Sequence, residues 1–284
     1  MKYKIKLSTV TTYKFGGYCN NFYKISNNDI DLFDEAFSNK EYFILGKGSN
    51  VAFSDKDYEG NVINPDFNEI SFIKNLGEVK VGSSVFLPDI ARFYKDKNLI
   101  NAEFLIGIPG SVGGAVKMNA GAYGWEFSDI LSSIEVYNLS TKNIETLHKD
   151  DIKFSYRTST NLENKIIISA TIIGTEGDPN VIKSRLKENI KYRKNTQPSA
   201  IYNAGSVFKN TDQYSAGELI DKAGLKGFSI DGVRVSTKHA NFFVASKGAS
   251  SSSLYKLVNH VKEVVDSKFG VSLQKEILFV GKFD

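Results

Sequence analysis

The sequence predicts a protein of mixed α/β or α+β class, divided into about two domains. Short apolar or alternating segments, typical of strands, are interspersed with segments whose apolar residues have helical spacing. The 284 residues of the chain exceed the roughly 100–200 residues of a single domain. With 41% hydrophobic and 24% charged residues, the composition is that of a globular protein rather than a disordered or disulfide-rich one.

Strands and helices are predicted to alternate along the first half. Residues 42–45 form a short apolar run before a glycine, which indicates a buried strand. Residues 79–82 and 134–137 alternate between apolar and polar, which indicates half-buried strands. Helices are expected over residues 30–37, from their apolar spacing, and after Pro88, since proline is favourable in the first turn of a helix.

A long helix is predicted at the start of the second half. Pro179 suits its first turn, because an aspartate before it can act as the cap, and the helix is expected to continue to about Arg193. The spacing of Ile182, Leu186 and Ile190 would place these three side chains on one face.

Serines are predicted to begin the two later helices. Ser215 and Glu218 have the spacing of a capping box, which predicts a short helix. Ser252 or Ser253 is the expected cap of the last helix, and Gly270 is expected to end it in a left-handed turn.

Composition excludes several kinds of site and location. The single cysteine, Cys19, excludes an internal disulfide framework, and the three histidines lack the spacing of metal ligands. The chain begins with an alternating, basic segment rather than an apolar leader. Its most apolar run, residues 166–173, is far shorter than the roughly 20 residues that span a bilayer. We therefore expect a cytoplasmic protein with no metal and no membrane partner.

Positive charge is concentrated in one part of the chain. The formal net charge is only +4, too small to indicate a nucleic-acid partner. Residues 183–247, however, contain 12 Lys or Arg against 5 Asp or Glu. A solvated helix face and a pocket for a polyanionic small molecule both explain this excess. Nucleic acid is the weaker interpretation, because no aromatic residues are interleaved with these charges.

Three glycine-rich segments follow predicted strands or turns in the first half. They cover residues 45–50, 107–115 and 119–124. Glycine lets backbone N–H groups approach a ligand, and successive N–H groups in such loops can bind a pyrophosphate. Tight turns would explain any one loop by itself. Neither GxGxxG leading into a helix nor GxxxxGK[ST] is present, so a nucleotide would be bound by another scaffold.

Eight segments in one order resemble a known family. They are LGKGSN, GIPGSVGGAVKMNAGAYG, FSYRTS, the stretch from Tyr192 to Pro198, NAGSVFKN, AGELIDKAGLKG, KHANFFV and FGVSLQKEILFVG. Together they are similar to the UDP-N-acetylenolpyruvoylglucosamine reductases, flavoenzymes of bacterial cell-wall synthesis, from about Thr11 to Gly281. Only 49 positions separate Arg157 from Ser206, which leaves no room for the substrate-covering loop of the longer branch. The resemblance is therefore to the short, type II branch.

The resemblance implies an α+β fold in three parts. A two-part FAD-binding domain of the vanillyl-alcohol-oxidase (PCMH) type would comprise residues 1–75 and 76–180, followed by a C-terminal α+β substrate-binding domain over 181–284. The last strand, about residues 274–282, is a candidate to return to the FAD half. FAD is the implied cofactor and NADPH the co-substrate, with small-molecule substrates, no nucleic acid, and a monomer or weak oligomer as the expected state.

The resemblance also assigns the binding residues. Those expected to bind the cofactor are Gly46, Lys47, Gly48, Ser49, Asn50, Gly107, Ile108, Pro109, Gly110, Ser111, Gly113, Gly114, Asn119, Ala120 and Gly121. Those expected to bind the substrate are Tyr156, Arg193, Asn203, Lys209 and Lys238.

Three further residues match the family's catalytic residues. In the implied reaction, reduced FAD passes a hydride to the terminal carbon of an enolpyruvyl group, which leaves negative charge beside the carboxylate. Arg157 would stabilise that charge and hold the carboxylate, because a guanidinium stays charged and can donate two parallel hydrogen bonds. Ser206 would donate the proton to the carbon, and Glu276 would assist with the charge of the intermediate.

Some features depart from the family pattern or stay ambiguous. Lys47 occupies a position where a smaller residue is common, Thr211 replaces a proline, and Asp231 begins an atypical turn. His239 is more readily explained by packing than as a base, and Asn241 is ambiguous. Tyr123 and Trp125 would either flank the flavin ring or fill the core.

Two alternative functions are kept open. Another FAD oxidoreductase of the same scaffold, acting on an alcohol or aldehyde, would explain the glycine loops but not the NAGSVFKN and closing glutamate segments. A non-catalytic module that binds a nucleotide sugar or a flavin would be favoured if the arginine, serine or glutamate were missing, and all three are present.

Overall fold

The computed structural model describes residues 1–38, 41–199 and 201–283. The α-helices in these residues are α1 (Leu32–Ala36), α2 (Leu87–Asp96), α3 (Val112–Met118), α4 (Phe127–Ile130), α5 (Pro179–Thr196), α6 (Ala216–Lys222) and α7 (Ser251–Phe269). Short 3-10 helices cover Leu7–Thr9, Asn27–Asp29, Glu103–Gly107 and Lys149–Asp151.

The strands are short and numerous. They are β1 (Lys2–Lys6), β2 (Tyr18–Ile25), β3 (Tyr42–Ile44), β4 (Val51–Phe53), β5 (Asn61–Pro65), β6 (Ile70–Ile73), β7 (Glu78–Gly82), β8 (Leu99–Ile100), β9 (Gly121–Ala122), β10 (Trp125–Glu126), β11 (Leu131–Asn138), β12 (Asn143–His148), β13 (Lys153–Ser155), β14 (Thr158–Thr160), β15 (Lys165–Ile173), β16 (Thr175–Glu176), β17 (Ser229–Ile230), β18 (Val233–Val235), β19 (Phe243–Ala245) and β20 (Leu278–Val280).

The chain forms two compact units, each made of separated segments. Unit 1 comprises Met1–Lys2, Phe22–Lys47 and Asn61–Arg193, and unit 2 comprises Tyr3–Asn21, Gly48–Gly60 and Lys194–Asp284. The three-part division at residues 75/76 and 180/181 stays a prediction.

The larger core of unit 1 is built on an antiparallel sheet. The strand order is β12-β11-β15-β7-β6, and the apolar side chains of α2 and α3 and of the start of α5 are buried against the same core. Helix α2 begins beside Pro88, as predicted. The two alternating segments and the apolar run at residues 166–173 are confirmed as β7, β11 and β15.

A second core of unit 1 lies beside three parallel strands. Residues 22–25 of β2 pair in parallel with β5, and β3 pairs in parallel with the other side of β5. The prediction that residues 42–45 form a buried strand is wrong in part: Tyr42 and Ile44 are each 41% exposed, and Leu45 is buried. Among the described residues β3 pairs only with β5, which makes it an edge strand, and the side chains of Tyr42 and Ile44 lie on its solvent-facing side.

Unit 2 is built around its own sheet and the longest helix. Strands β17, β18 and β19 form an antiparallel sheet, and α6 and α7 bury their apolar faces in the same core. Asp231 and Gly232 have φ values of 41° and 86° and connect β17 to β18. This two-residue Asp-Gly hairpin turn gives a local structural reason for the atypical sequence at Asp231.

The last strand of the chain also lies in unit 2. β20 pairs in parallel with β4, with Leu278 opposite Val51 and Val280 opposite Phe53. The carboxyl-terminal strand is therefore anchored on the segment that directly follows the first glycine loop.

Three predictions about helices need correction. The N-cap of α7 is Ser250, whose hydroxyl accepts the N–H of Ser253, rather than Ser252 or Ser253. Ser215 precedes α6 without a side-chain cap, and the N–H of Ala216 donates instead to the side chain of Asn210. On α5, Ile182 and Leu186 are buried, but Ile190 is 51% exposed, because the core of unit 1 covers only the first turns of this helix.

The described residues contain neither a helix suited to a membrane nor a cluster of metal-ligating side chains. None of the helices there is both long enough and apolar enough to cross a membrane. No group of three or more His, Cys, Asp or Glu side chains in the described part of the chain could hold a metal ion.

Candidate active site

Gly48 of the first glycine loop, a residue of unit 2, lies closely against an N-terminal segment of the same unit. Gly48 has a φ of 66°, and a Cβ at this position would overlap the carbonyl oxygen of Val10. The N–H of Thr12 donates to the carbonyl of Gly48 at 3.0 Å. Only glycine satisfies both the left-handed φ and the close approach.

In unit 1 the first and second glycine loops meet. An ideal Cβ at Gly46 would lie 2.5 Å from Oγ of Ser111, so the absent side chain makes room for the second loop. The second loop is also hydrogen-bonded to the segment at residues 83–87. The carbonyl of Gly110 accepts the N–H of Leu87, and the N–H of Gly113 donates to the carbonyl of Ser83 at 2.8 Å. Ile108 and Pro109 lead into it, after the 3-10 helix that ends at Gly107.

Several donors at this meeting point have no protein acceptor. Within the described chain, the backbone N–H groups of Gly46, Lys47, Ser111 and Gly114 and the hydroxyl of Ser111 donate to no protein group. Unpaired donors that converge in glycine-rich loops form a favourable environment for a phosphate or pyrophosphate. These residues therefore fit the pyrophosphate of a dinucleotide such as FAD.

The third glycine loop is fixed by the side chain of Asn119. This residue is fully buried, and its φ of 41° ends α3. Its Nδ2 donates to Glu126 at 2.6 Å, and its Oδ1 accepts the N–H of Ser128 at 3.1 Å. The N–H of Ala120 donates to the carbonyl of Ala115, and the carbonyl of Ala120 accepts the N–H of Phe127. Asn119 and Ala120 thus hold the loop in shape, while direct contact with a cofactor stays a prediction.

Arg157 lies beside this third loop in unit 1. Its backbone has a φ of 54°, and its side chain is only 19% exposed. The guanidinium donates to the carbonyl of Gly121 at 3.2 Å, lies 3.9 Å from a carboxylate oxygen of Glu126, and stacks 4.7 Å from the ring centre of Tyr156. The positive charge of this guanidinium is thus held largely out of water.

Sequence reasoning missed Glu126. Its carboxylate accepts from Asn119 and from the first turn of α4, which it caps, and it is the acidic neighbour of Arg157. The only sequence signal for it was its position two residues after Gly124, ahead of an apolar helix.

Arg193 and Tyr123 form another polar group in unit 1. A Cβ at Gly107 would overlap the side chain of Arg193, so this glycine makes room for the arginine. Burial lowers the pKa of Arg193, and the adjacent Tyr123 partly opposes that effect. Tyr123 and Trp125 are 37% and 40% exposed, so the interpretation that they fill the core is wrong.

In unit 2 the backbone brings Ser206 and Glu276 onto neighbouring segments. Glu276 donates its N–H to the carbonyl of Val207 at 2.8 Å, and Lys209 donates its N–H to the carbonyl of Gln274 at 2.8 Å. Residues 206–209 and 274–277 therefore run antiparallel, side by side. Nδ2 of Asn50 donates to the carbonyl of Glu276 at 3.1 Å, which adds the end of the first glycine loop to this group.

Three predicted substrate residues lie in unit 2. Asn203 is buried, and its Oδ1 accepts the N–H of Gly205 at 3.1 Å, so it shapes the turn before Ser206. Lys238 donates to the carbonyl of Lys194. Lys209 is half-buried, and in the described part of the chain its ammonium group has no acidic partner.

The structure thus brings together two sets of predicted residues. Unit 1 contains Gly46, Lys47, the loop at residues 107–114, the loop at 119–121, Arg157 and Arg193, and unit 2 contains Gly48, Ser49, Asn50, Asn203, Ser206, Lys209, Lys238 and Glu276. The grouping of Arg157 with Ser206 and Glu276 stays a prediction.

Two sequence families match separate parts of the chain. Residues 35–146 match the family described as FAD binding domain. Residues 197–280 match the family described as UDP-N-acetylenolpyruvoylglucosamine reductase, C-terminal domain. The predicted α+β class, with an FAD-binding domain followed by a C-terminal domain, is confirmed, and so is FAD as the cofactor.

Individual relatives match over nearly the whole length. The UDP-N-acetylenolpyruvoylglucosamine reductase of Orientia tsutsugamushi strain Ikeda is 38% identical, over 98% of this chain and 93% of the relative. The enzyme of the same name from Halalkalibacterium halodurans is 36% identical, over 96% and 91%. The crystal structure of the Thermus caldophilus enzyme superimposes with a TM-score of 0.87 at 29% identity and covers 99% of both chains.

These matches cover both units and agree with the resemblance of the eight sequence segments. The chain therefore belongs to the UDP-N-acetylenolpyruvoylglucosamine reductase family of oxidoreductases.

Proposed function

We propose that this protein reduces UDP-N-acetylglucosamine enolpyruvate to UDP-N-acetylmuramate with NADPH, in the synthesis of peptidoglycan precursors. The observation that supports the proposal is the antiparallel pairing, in unit 2, of the segment that contains Ser206 with the segment that contains Glu276. A proton donor and a carboxylate on adjacent segments suit a reaction that must protonate carbon and manage negative charge.

The two glycine loops supply the cofactor site of this proposal. Gly46, Lys47 and the loop at residues 107–114 would bind the FAD pyrophosphate through the N–H groups that have no acceptor in the described protein. Lys47 adds a positive charge where the family often has a smaller residue, which suits the same anion. When bound, FAD would accept a hydride from NADPH and deliver it to the methylene carbon of the enolpyruvyl group.

Arg157 would stabilise the charge that hydride addition creates. As the new C–H bond forms, the double-bond electron pair moves onto the carbon beside the carboxylate and into that carboxylate. A guanidinium fixed by Gly121 and by the ring of Tyr156 needs little reorganisation to donate to those oxygens. Because its side chain is only 19% exposed, water screens its charge weakly.

Ser206 would complete the reaction by protonating that carbon. Its O–H bond breaks as the C–H bond forms, so the electron pair of the anion is used and the negative charge passes to the serine oxygen. The serine is then reprotonated from solvent or through a neighbouring group. Glu276, on the adjacent segment, would assist the handling of this charge.

Positively charged and amide side chains would bind the rest of the substrate. Arg193, Lys209 and Lys238 offer charges for a diphosphate, and Asn203 holds the turn before Ser206. The proposal gives a use to the local excess of Lys and Arg over residues 183–247. An oxidoreductase acting on a neutral alcohol would need no such lining, so we favour the nucleotide-sugar substrate.

The proposed function is tested by the flavin spectrum. Purified protein is expected to be yellow, to lose the visible absorbance of oxidised flavin when NADPH is added without oxygen, and to regain it on addition of the enolpyruvyl sugar. Vanillin, an aldehyde that a hydride and a proton would convert to the alcohol, serves as the control acceptor. Re-oxidation by the control compound, or by neither compound, would contradict the proposal.

Removal of the Ser111 hydroxyl tests the cofactor site. Because that hydroxyl donates to no described protein group, Ser111→Ala should leave the melting temperature nearly unchanged yet raise the FAD dissociation constant about 10-fold, the effect of one hydrogen bond to a charged group. Fluorescence titration of the apoprotein measures the constant. The matched control is Ser159→Ala, which removes a hydroxyl bonded to the carbonyl of Lys117 and should lower stability with little change in FAD affinity. An unchanged FAD affinity in Ser111→Ala would place the cofactor elsewhere.

Replacement of Ser206 tests the proton donor. Ser206→Ala should be reduced by NADPH at the wild-type rate, but its re-oxidation by the enolpyruvyl sugar should slow by about 10²–10⁴-fold, the usual contribution of a general acid. Stopped-flow absorbance measures the two half-reactions separately. Ser229→Ala, an exposed serine of the same unit, is the control. A loss of only two- to threefold would show that another group donates the proton.

A further inference from the structure

One buried amide side chain pairs with both main-chain polar groups of Phe208. Asn241 is 3% exposed. Its Oδ1 accepts the N–H of Phe208 at 3.0 Å, and its Nδ2 donates to the carbonyl of Phe208 at 2.8 Å. The carbonyl of Asn241 also accepts the N–H of Val207 at 2.9 Å. The amide of Asn241 thus pairs with the N–H and the carbonyl of Phe208, as the backbone of a neighbouring β-strand would.

These hydrogen bonds from Asn241 hold the segment that contains the proposed proton donor. Phe208 lies two residues after Ser206, and its backbone is bridged to Lys275, the residue before Glu276. Its ring is fully buried and contacts Phe243 edge to face. The Asn241 amide therefore holds the Ser206 segment on one side, while the Glu276 segment holds it on the other.

The loop that contains Asn241 is itself braced. The N–H of Asn241 donates to Nδ1 of His239 at 3.3 Å, and the N–H of His239 donates to Oγ of Ser236 at 3.3 Å. His239 also packs against Phe242, with ring centres 4.7 Å apart. These contacts give His239 a use as a hydrogen-bond acceptor inside the loop, which supports its interpretation as a packing residue.

We propose that Asn241 is a positioning residue that holds the segment of Ser206 in place against the segment of Glu276, so that Ser206 is oriented for carbon protonation. The inference rests on the proposed function of Ser206. The position requires an amide in particular, because only an amide of this length offers one acceptor and one donor in the spacing of a backbone pair. An aspartate would put a negative charge against the Phe208 carbonyl, and an apolar residue would leave two buried groups unpaired.

The experiment compares Asn241→Asp with a matched control, Asn61→Asp. Asn61 is equally buried, and its Nδ2 donates to a main-chain carbonyl, that of Ala36, in unit 1. Both variants are expected to melt at lower temperature. Asn241→Asp alone should slow flavin re-oxidation by the enolpyruvyl sugar about 10–100-fold, since a displacement near 1 Å can cost 10²-fold, with NADPH reduction unchanged within twofold.

A solvent-deuterium isotope effect separates positioning from general destabilisation. If proton delivery from Ser206 is impaired, the isotope effect on re-oxidation should rise in Asn241→Asp and stay at the wild-type value in Asn61→Asp. Should Asn241→Asp fail to fold, Asn241→Gln, which keeps both amide groups one methylene farther out, serves in the same comparison.

Two results would overturn the inference, and they can be told apart. A re-oxidation rate and isotope effect in Asn241→Asp no different from those of Asn61→Asp, with an active wild type, would reject Asn241 as a positioning residue. A wild-type protein that the enolpyruvyl sugar cannot re-oxidise would reject the proposed function, and the positioning role with it.

Discussion

The antiparallel pairing of residues 206–209 with residues 274–277 is the constraint on which unit 2 and its proposed chemistry depend. The two segments lie far apart in the chain, and neither belongs to a regular sheet. Their buried backbone groups must nevertheless find partners, since each unpaired group would cost about 1–3 kcal/mol. They find them in each other, in the main chain and side chain of Asn241, and in the side chain of Asn50. Ser206 and Glu276 lie on adjacent segments as a consequence of that pairing.

Unit 1 meets a different constraint, the close approach of its glycine loops. Gly46 and Gly107 leave space that Ser111 and Arg193 occupy, so side chains at the two glycines would force the second loop apart. This arrangement leaves donors without an acceptor in the described part of the protein, which favours binding of an anion. Glu126 and Asn119 then fix the third loop, against which Arg157 packs. Stability and binding are therefore coupled in this part of the chain.

Sequence patterns predicted what depends on local backbone chemistry. Pro88 and Pro179 lie at the starts of α2 and α5, and Gly270 ends α7 with a φ of 67°, because proline and glycine act through their own backbone preferences. The ordered motifs of the first half and the NAGSVFKN segment predicted the family and the FAD-binding fold, both confirmed by the comparisons.

What the sequence did not predict depends on tertiary contacts. Ile190 has the spacing of a core residue, yet the core of unit 1 ends before it reaches this turn of α5. Ser250 rather than its serine neighbours caps α7, because several adjacent serines give the same local signal. Glu126 and Asn241 act on residues 31 and 33 positions away, a distance over which a single sequence carries no pairing signal.

Amide hydrogen exchange tests the central pairing most directly. The N–H groups of Glu276 and Lys209, which donate across the two segments, should exchange as slowly as amides in the middle of α7, with which they share one core. Exchange of these two amides at rates near those of an unfolded chain, while α7 stays protected, would contradict the account.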